Sequence, residues 1–213
     1  MKITILYDNN ANPGLKSGWG FSALVEKAEK ILFDTGDSGE KLIYNFEKLS
    51  IDPKSVDKVV LSHNHWDHVD GLERFQKLNH KAEVIYPDAF SQPTEISTGI
   101  YSTGAMGTLI KEQSLVIKTE KGNIVVTGCA HPGLVEILQA AKQLGEIYGV
   151  LGGFHGFSQL HELGGIQLIA PCHCTQYKQE IKNKYPDEFV EIKAGSVVEI
   201  CAKGRPLWEK RKA

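Results

Sequence analysis

Short apolar runs closed by Gly-, Asn- or Pro-rich turns alternate along this chain with stretches whose apolar residues recur at helical spacing. Lys2 to Tyr7 reads as a first strand, and a polar loop follows from Asp8 to Gly20. Phe21 to Glu26 and Ile31 to Phe33 pair as a hairpin ending in Asp34-Thr35-Gly36. From Glu40 to Leu49, Leu42, Ile43, Phe46 and Leu49 fall on one helical face, and Ile51-Asp52-Pro53 stops the helix. Lys58 to Leu61 is the next strand, Gly71 to Leu78 a short helix, and Glu83 to Tyr86 a strand. Ser91 to Lys111, rich in Ser, Thr and Gly, reads as an irregular loop reaching over a site. Leu115 to Thr119 and Ile124 to Thr127 form a hairpin, and Leu134 to Leu144 an amphipathic helix. The strands Tyr148 to Leu151 and Ile166 to Ala170, a helix around Tyr177 to Lys184, and the strands Phe189 to Ile192 and Val197 to Ile200 complete the chain.

This alternation gives the candidate chemistry its position. Directly after the strand at Lys58 come His63, His65, Asp67 and His68, three histidines and an aspartate within six positions. Imidazole and carboxylate are the ligands that zinc and similar divalent ions prefer. In an extended segment His63 and His65 point to the same side. Asp67 and His68 follow where the chain turns toward a helix, so they can address a second, adjacent ion. Two ions roughly 3.5–4 Å apart form the two-metal arrangement of many hydrolytic sites. Three further strand ends carry His131, His155 and His173. Open α/β sheets gather their ligands at the carboxyl ends of strands. Asp34, also at a strand end, suits either a turn or a carboxylate orienting a histidine by hydrogen bond. His80 and His161 lie away from these junctions and read as surface or structural residues. Trp66 is expected to pack beneath the histidines, with stacking on a ligand as the alternative.

Composition narrows the function classes. A chain of 213 residues is long enough for one substantial core, so 1–213 is expected to be a single domain. The formal net charge of −2 creates no field for nucleic acid or anionic membrane, and the basic run Lys203 to Lys212 reads as a solvated tail. No stretch approaches the apolar length of a membrane span, and the chain enters its first strand without a signal-peptide pattern, so the cytoplasm is expected. The four cysteines lack the density of a disulfide scaffold. Cys172-His173-Cys174 has the composition of a metal motif, but neighbours of His173 in a strand point away from whatever it ligates, which favours buried thiols.

Leu32 to Gly36, His63-x-His65-x-Asp67-His68, His131 and His173 together resemble the metallo-β-lactamase superfamily. Asp8-Asn9, Thr103-Gly104, Gly128 to Gly133, Gly152 to His155 and Pro171 to Thr175 narrow the resemblance to the 7,8-dihydropterin-6-methyl-4-(β-D-ribofuranosyl)-aminobenzene-5′-phosphate synthase-like branch. The resemblance implies an α/β fold, a four-layer αββα sandwich. It implies two divalent ions, zinc or alternatively manganese or iron. His63, His65 and His131 would hold the first ion, and Asp67, His68 and His173 the second. Much of the superfamily adds a bridging aspartate between the segments of His131 and His173, where this chain has only Glu136, Glu146 and Glu162. None of these lies at a strand end, whereas His155 does, either as a ligand or as a pocket residue.

The activity implied is hydrolysis of an ester, lactone, thioester or phosphoester by a water whose pKa the metals lower toward about 7. Asp67 would ligate and orient that nucleophile, and His155, if not a ligand, would stabilise the developing oxyanion. Alternatives are a pterin-condensing transferase of the branch's named type and, ranked lower, a di-iron redox protein. The substrate is expected to be a small molecule, with neither nucleic acid nor membrane as partner; the oligomeric state is not legible. The segments Ser91 to Lys111 and His155 to Ile166, which ordinarily wall the pocket, look shorter than in relatives.

Overall fold

In the computed structural model of the protein, which describes residues 1–200, the patterns above become two mixed sheets, each in its own compact unit. Met1–Tyr86, joined by the segment from Ile192 onward, forms the first unit. It contains β1 (Lys2–Tyr7), β2 (Ser22–Glu26), β3 (Lys30–Phe33), β4 (Lys58–Val60) and β5 (Glu83–Ile85). Its helices are α1 (Gly39–Lys48), α2 (Trp66–Val69) and α3 (Leu72–Leu78). The first three strands run antiparallel, Ala23 facing Phe33, and β3, β4 and β5 are parallel. The Ser38 side chain caps α1 by accepting from the Lys41 N–H, with Glu40 in the first turn and Lys48 in the last. Leu42, Ile43 and Phe46 from α1 pack with Leu6, Leu24, Leu32, Val59, Leu61 and Phe75. Each such side chain contributes roughly 1.5–3 kcal/mol by leaving water. Asn45, wholly buried on the same helix, donates to the carbonyls of Leu6 and Lys16 and accepts from the Lys16 N–H, which pins the loop after β1.

Pro87–Glu191 is the second unit. It holds β6 (Thr94–Ser97), β7 (Ile100–Ser102), β8 (Leu115–Thr119), β9 (Gly122–Thr127), β10 (Ile147–Gly153) and β11 (Leu168–Cys172), with α4 (Leu134–Lys142) and α5 (Lys178–Lys184). The sheet order is β11-β10-β9-β8-β7-β6, parallel from β9 to β11 and antiparallel from β6 to β9. Leu134, Ile137, Leu138 and Ala141 of α4 join Val125, Val150, Phe154 and Ile169 in its core. The chain then returns to the first sheet as β12 (Val197–Glu199), antiparallel to β1.

Two of the sequence expectations fail here. Ser91 to Lys111 is no irregular loop, since β6 and β7 pair within it as a hairpin turning at Gly99, whose φ is 68°. The Ser and Thr content of these strands hides the apolar alternation that marks the others. Phe189 to Ile192 forms no strand: Phe189 makes one isolated bridge to Ile169 and is held by burial of its ring. The basic run from Lys203 lies outside the described residues.

Candidate metal centre

Asp34 organises the candidate ligands of the first unit. It ends β3 in the left-handed region (φ 59°), a conformation that aspartate tolerates better than most residues, and it is fully buried. Its carboxylate accepts from the Ser62 N–H at 2.6 Å, from Ser62 Oγ at 2.7 Å and from His68 Nδ1 at 2.7 Å. Because the Ser62 hydroxyl gives its proton to Asp34, it accepts from His63 Nδ1 at 2.8 Å. One buried carboxylate thus places the ring protons of both His63 and His68 on Nδ1 and leaves each Nε2 lone pair for a ligand.

Other candidate ligand atoms lie close to both Nε2 atoms. His63 Nε2 lies 3.1 Å from His65 Nδ1, close to the ~3.4 Å between two nitrogens bound to one tetrahedral zinc. His68 Nε2 lies 3.8 Å from Asp67 Oδ2, a second ligand pair of the same kind. His65 caps α2 in an extended conformation, which turns the chain so that Asp67 and His68 come from the helix and His63 and His65 from the strand side. Backbone bonds fasten that helix: the Thr35 N–H and hydroxyl both donate to the His68 carbonyl, at 2.8 and 2.9 Å, and the Phe21 N–H donates to that of Asp67. Gly20 has no room for a side chain, since a Cβ there would meet the Asp67 carbonyl oxygen at 2.5 Å.

In the second unit three histidines stand beyond the ends of adjacent parallel strands. His131 follows β9, His155 follows β10 and His173 follows β11. Backbone φ is positive at Ala130 (59°), His155 (46°) and His173 (49°), so each junction turns sharply after its strand. Such conformations persist only where surrounding structure holds them, and they gather at functional sites. The rings of His131 and His155 meet edge to face with centroids 5.1 Å apart. His155 is exposed and lines a cavity of about 250 Å³ with Phe154, Phe157, Ser158 and Gln159.

The His131 turn has an anchor that the sequence reading missed. Glu112, 1% exposed, accepts from three successive backbone N–H groups: Cys129 at 3.0 Å and Ala130 at 2.8 Å on Oε1, and His131 at 2.8 Å on Oε2. No pattern in the sequence signals this, because donors and acceptor are 17 to 19 residues apart. Ser62 was missed likewise, its role emerging only through Asp34.

The cysteines depart in part from expectation. Cys129 and Cys172 are buried thiols, but Cys174 is half-buried, and a ligand atom of each of Cys129, His173 and Cys174 lies within 4.8 Å of the others. The argument from strand alternation fails because the left-handed turn at His173 ends the strand before Cys174. A hydrogen bond with Cys129 holds the Cys174 thiol below the ordinary range; burial opposes the shift and the His173 charge assists it. Trp66 is also corrected: at the start of α2 it is 55% exposed and so is not buried beneath the histidines. His80 and His161 are exposed, as expected of surface residues. Of the candidate ligands, the structure gathers His63, His65, Asp67 and His68 in the first unit and carries His131, His155 and His173 in the second.

These features define a class. Residues 20–103 match the family model of the metallo-beta-lactamase superfamily, and the two mixed sheets, each with its helices, are the α/β elements of that superfamily's fold. Over its length the chain is similar to the 7,8-dihydropterin-6-methyl-4-(β-D-ribofuranosyl)-aminobenzene-5′-phosphate synthase of Methanocaldococcus jannaschii. The two are 26% identical over 285 residues, covering 94% of this chain and 97% of that protein. An uncharacterized protein of the same organism is 29% identical over 258 residues, with 93% and 100% covered. Among solved structures, that of Tm1679, described as a metal-dependent hydrolase of the β-lactamase superfamily, matches with a TM-score of 0.77 and 26% identity, covering 94% of this chain and 99% of the other. The alignment with the synthase is longer than this whole chain of 213 residues, so that relative carries segments that are missing here. No described helix is long and apolar enough to cross a membrane.

Proposed function

We propose that residues 1–213 act as one metallo-β-lactamase-like domain, a metal-dependent hydrolase of small-molecule esters, lactones, thioesters or phosphoesters. The observation that carries this reading is the Asp34 network, which fixes two ring tautomers and leaves the Nε2 atoms of His63 and His68 as donors beside His65 Nδ1 and the Asp67 carboxylate. A purely structural role needs no such supply of oriented lone pairs. Following the resemblance, His63, His65 and His131 would hold one divalent ion, and Asp67, His68 and His173 the other. Zinc suits the nitrogen-rich donor set. Ions so held would supply Lewis acidity toward a carbonyl or phosphoryl oxygen and would lower the pKa of water.

The chain's own groups then divide the work. Asp67 orients the attacking water and takes its proton. His155, exposed on the cavity that Phe154 and Phe157 wall, donates to the oxygen that gains charge in the transition state. The apolar part of that cavity holds the substrate body and excludes water. Similarity to Tm1679, described as a hydrolase, supports the reading.

Similarity to the M. jannaschii synthase favours a second reading, condensation of two substrates at the same residues. The missing segments weigh against it, since a site for two substrates needs more wall. A panel of lactone, thioester and phosphodiester substrates, assayed with zinc-loaded wild type and Asp67→Ala, decides between them. Single-substrate turnover that is lost in Asp67→Ala supports the hydrolase. Product formation that requires two co-substrates establishes the synthase instead.

A further inference from the structure

Two thiols from separate strand ends share one niche of the second unit. Cys129 precedes the left-handed turn after β9, and Cys174 follows the left-handed His173 after β11. Their sulfurs lie within 4.8 Å of each other, and the Cys174 sulfur is 3.9 Å from the Cys129 carbonyl oxygen. Gly153, at the end of the intervening strand β10, makes the space: a Cβ there would come within 2.8 Å of the Cys174 sulfur and 3.3 Å of the Cys129 Cα. Cys129 is 4% exposed and Cys174 is half-buried, so Cys174 is the more accessible residue of the two.

We propose that Cys129 and Cys174 are a redox pair that peroxide closes to a reversible disulfide, drawing together the junctions that carry His131 and His173. In the first step the Cys174 thiolate attacks one oxygen of hydrogen peroxide. The S–O bond forms, the O–O bond breaks, and the leaving hydroxide takes a proton to become water. In the second the Cys129 sulfur loses its proton and attacks the resulting sulfenic sulfur; the S–S bond forms, the S–O bond breaks, and a second water leaves. Two thiols are oxidised by two electrons and one peroxide is reduced to two waters. Closure to the ~2.05 Å of a disulfide needs side-chain rotation together with an approach of the two junctions. His131 stands two residues beyond Cys129, and His173 immediately precedes Cys174. Closure therefore displaces both histidines, and a dithiol reductant restores them. The consequence for metal binding rests on the metal reading above; the cross-link itself does not.

The test uses the full chain loaded with zinc and treated with hydrogen peroxide. Remaining thiols are alkylated, and the peptides are mapped by mass spectrometry without reduction. A Cys129–Cys174 peptide pair, about 2 Da lighter than its two thiol components and released by dithiothreitol, is expected. In Cys129→Ser the pair is absent and dimedone traps a sulfenic acid on Cys174. Zinc per chain falls as the wild-type pair forms and recovers on reduction. Pairing of either thiol with Cys172, or direct passage of Cys174 to sulfinic acid in the wild type, overturns the proposal. A closed pair with unchanged zinc content overturns the coupling. Reduced protein that takes up no zinc instead counts against the metal reading, with the peptide map still deciding the cross-link.

Discussion

Glu112→Gln is the substitution that best tests how the His131 turn is held. The wild-type carboxylate accepts three backbone N–H groups, two on Oε1 and one on Oε2. Gln keeps one oxygen. With that oxygen in place of Oε1, the Cys129 and Ala130 bonds survive as neutral ones, roughly half as strong as charge-assisted bonds. The amide NH2 then faces the His131 N–H, donor against donor, where a 2.8 Å bond had been. A hydrogen bond to a charged group contributes about 1.5–3 kcal/mol, and a buried donor left unmet costs about 1–3 kcal/mol. Relaxation of the turn recovers part of this, so the expected loss is about 2–4 kcal/mol, and Glu112→Ala should lose more. Urea denaturation of metal-free protein reads the loss as a lower midpoint at constant m. The same variant should hold zinc more weakly in a chelator competition, because His131 is no longer fixed. A stability within about 0.5 kcal/mol of wild type would show that water replaces the carboxylate at no cost, and the anchoring argument would be wrong.

Other substitutions probe the remaining parts. Asp34→Asn should weaken zinc binding about 10–100-fold in chelator competition, since an amide no longer dictates the ring protons of His63 and His68; unchanged affinity would refute the tautomer argument. Gly153→Ala should lower the urea midpoint by an amount equivalent to about 1–3 kcal/mol, as its Cβ would clash with the Gly128 carbonyl oxygen; a neutral change would mean that the β10 end is pliant. Trp66→Ala should leave the midpoint within about 0.5 kcal/mol, given the exposure of the ring, and a larger fall would point to packing absent from the structure.

The sequence made much of this legible because its signals are local. His63, His65, Asp67 and His68 are adjacent in the chain, and the apolar run before them identifies the strand that delivers them. β1 and β4 are readable as short apolar runs, and α1 from a single face of apolar residues. The β6–β7 hairpin escaped because Thr94, Ser97 and Ser102 give strands without apolar contrast. Glu112 and Ser62 escaped for another reason. Their importance lies in which distant groups they meet, and nothing in composition or period encodes a carboxylate under three amides. Its position at a strand end suits Asp34 to two roles, and only the bonds to Ser62 and His68 decide in favour of orienting the histidines. The Cys172-His173-Cys174 reading went astray through one dihedral angle, the positive φ at His173, which no alternation rule anticipates.

Elemental mass spectrometry of the purified protein tests most directly the proposal that the chain holds two divalent ions. About two zinc or manganese ions per chain are expected, falling to one or fewer in a His63→Ala, His65→Ala double variant. A wild-type content near one ion would contradict the dinuclear site, and a content near zero after incubation with zinc would contradict the metal centre itself.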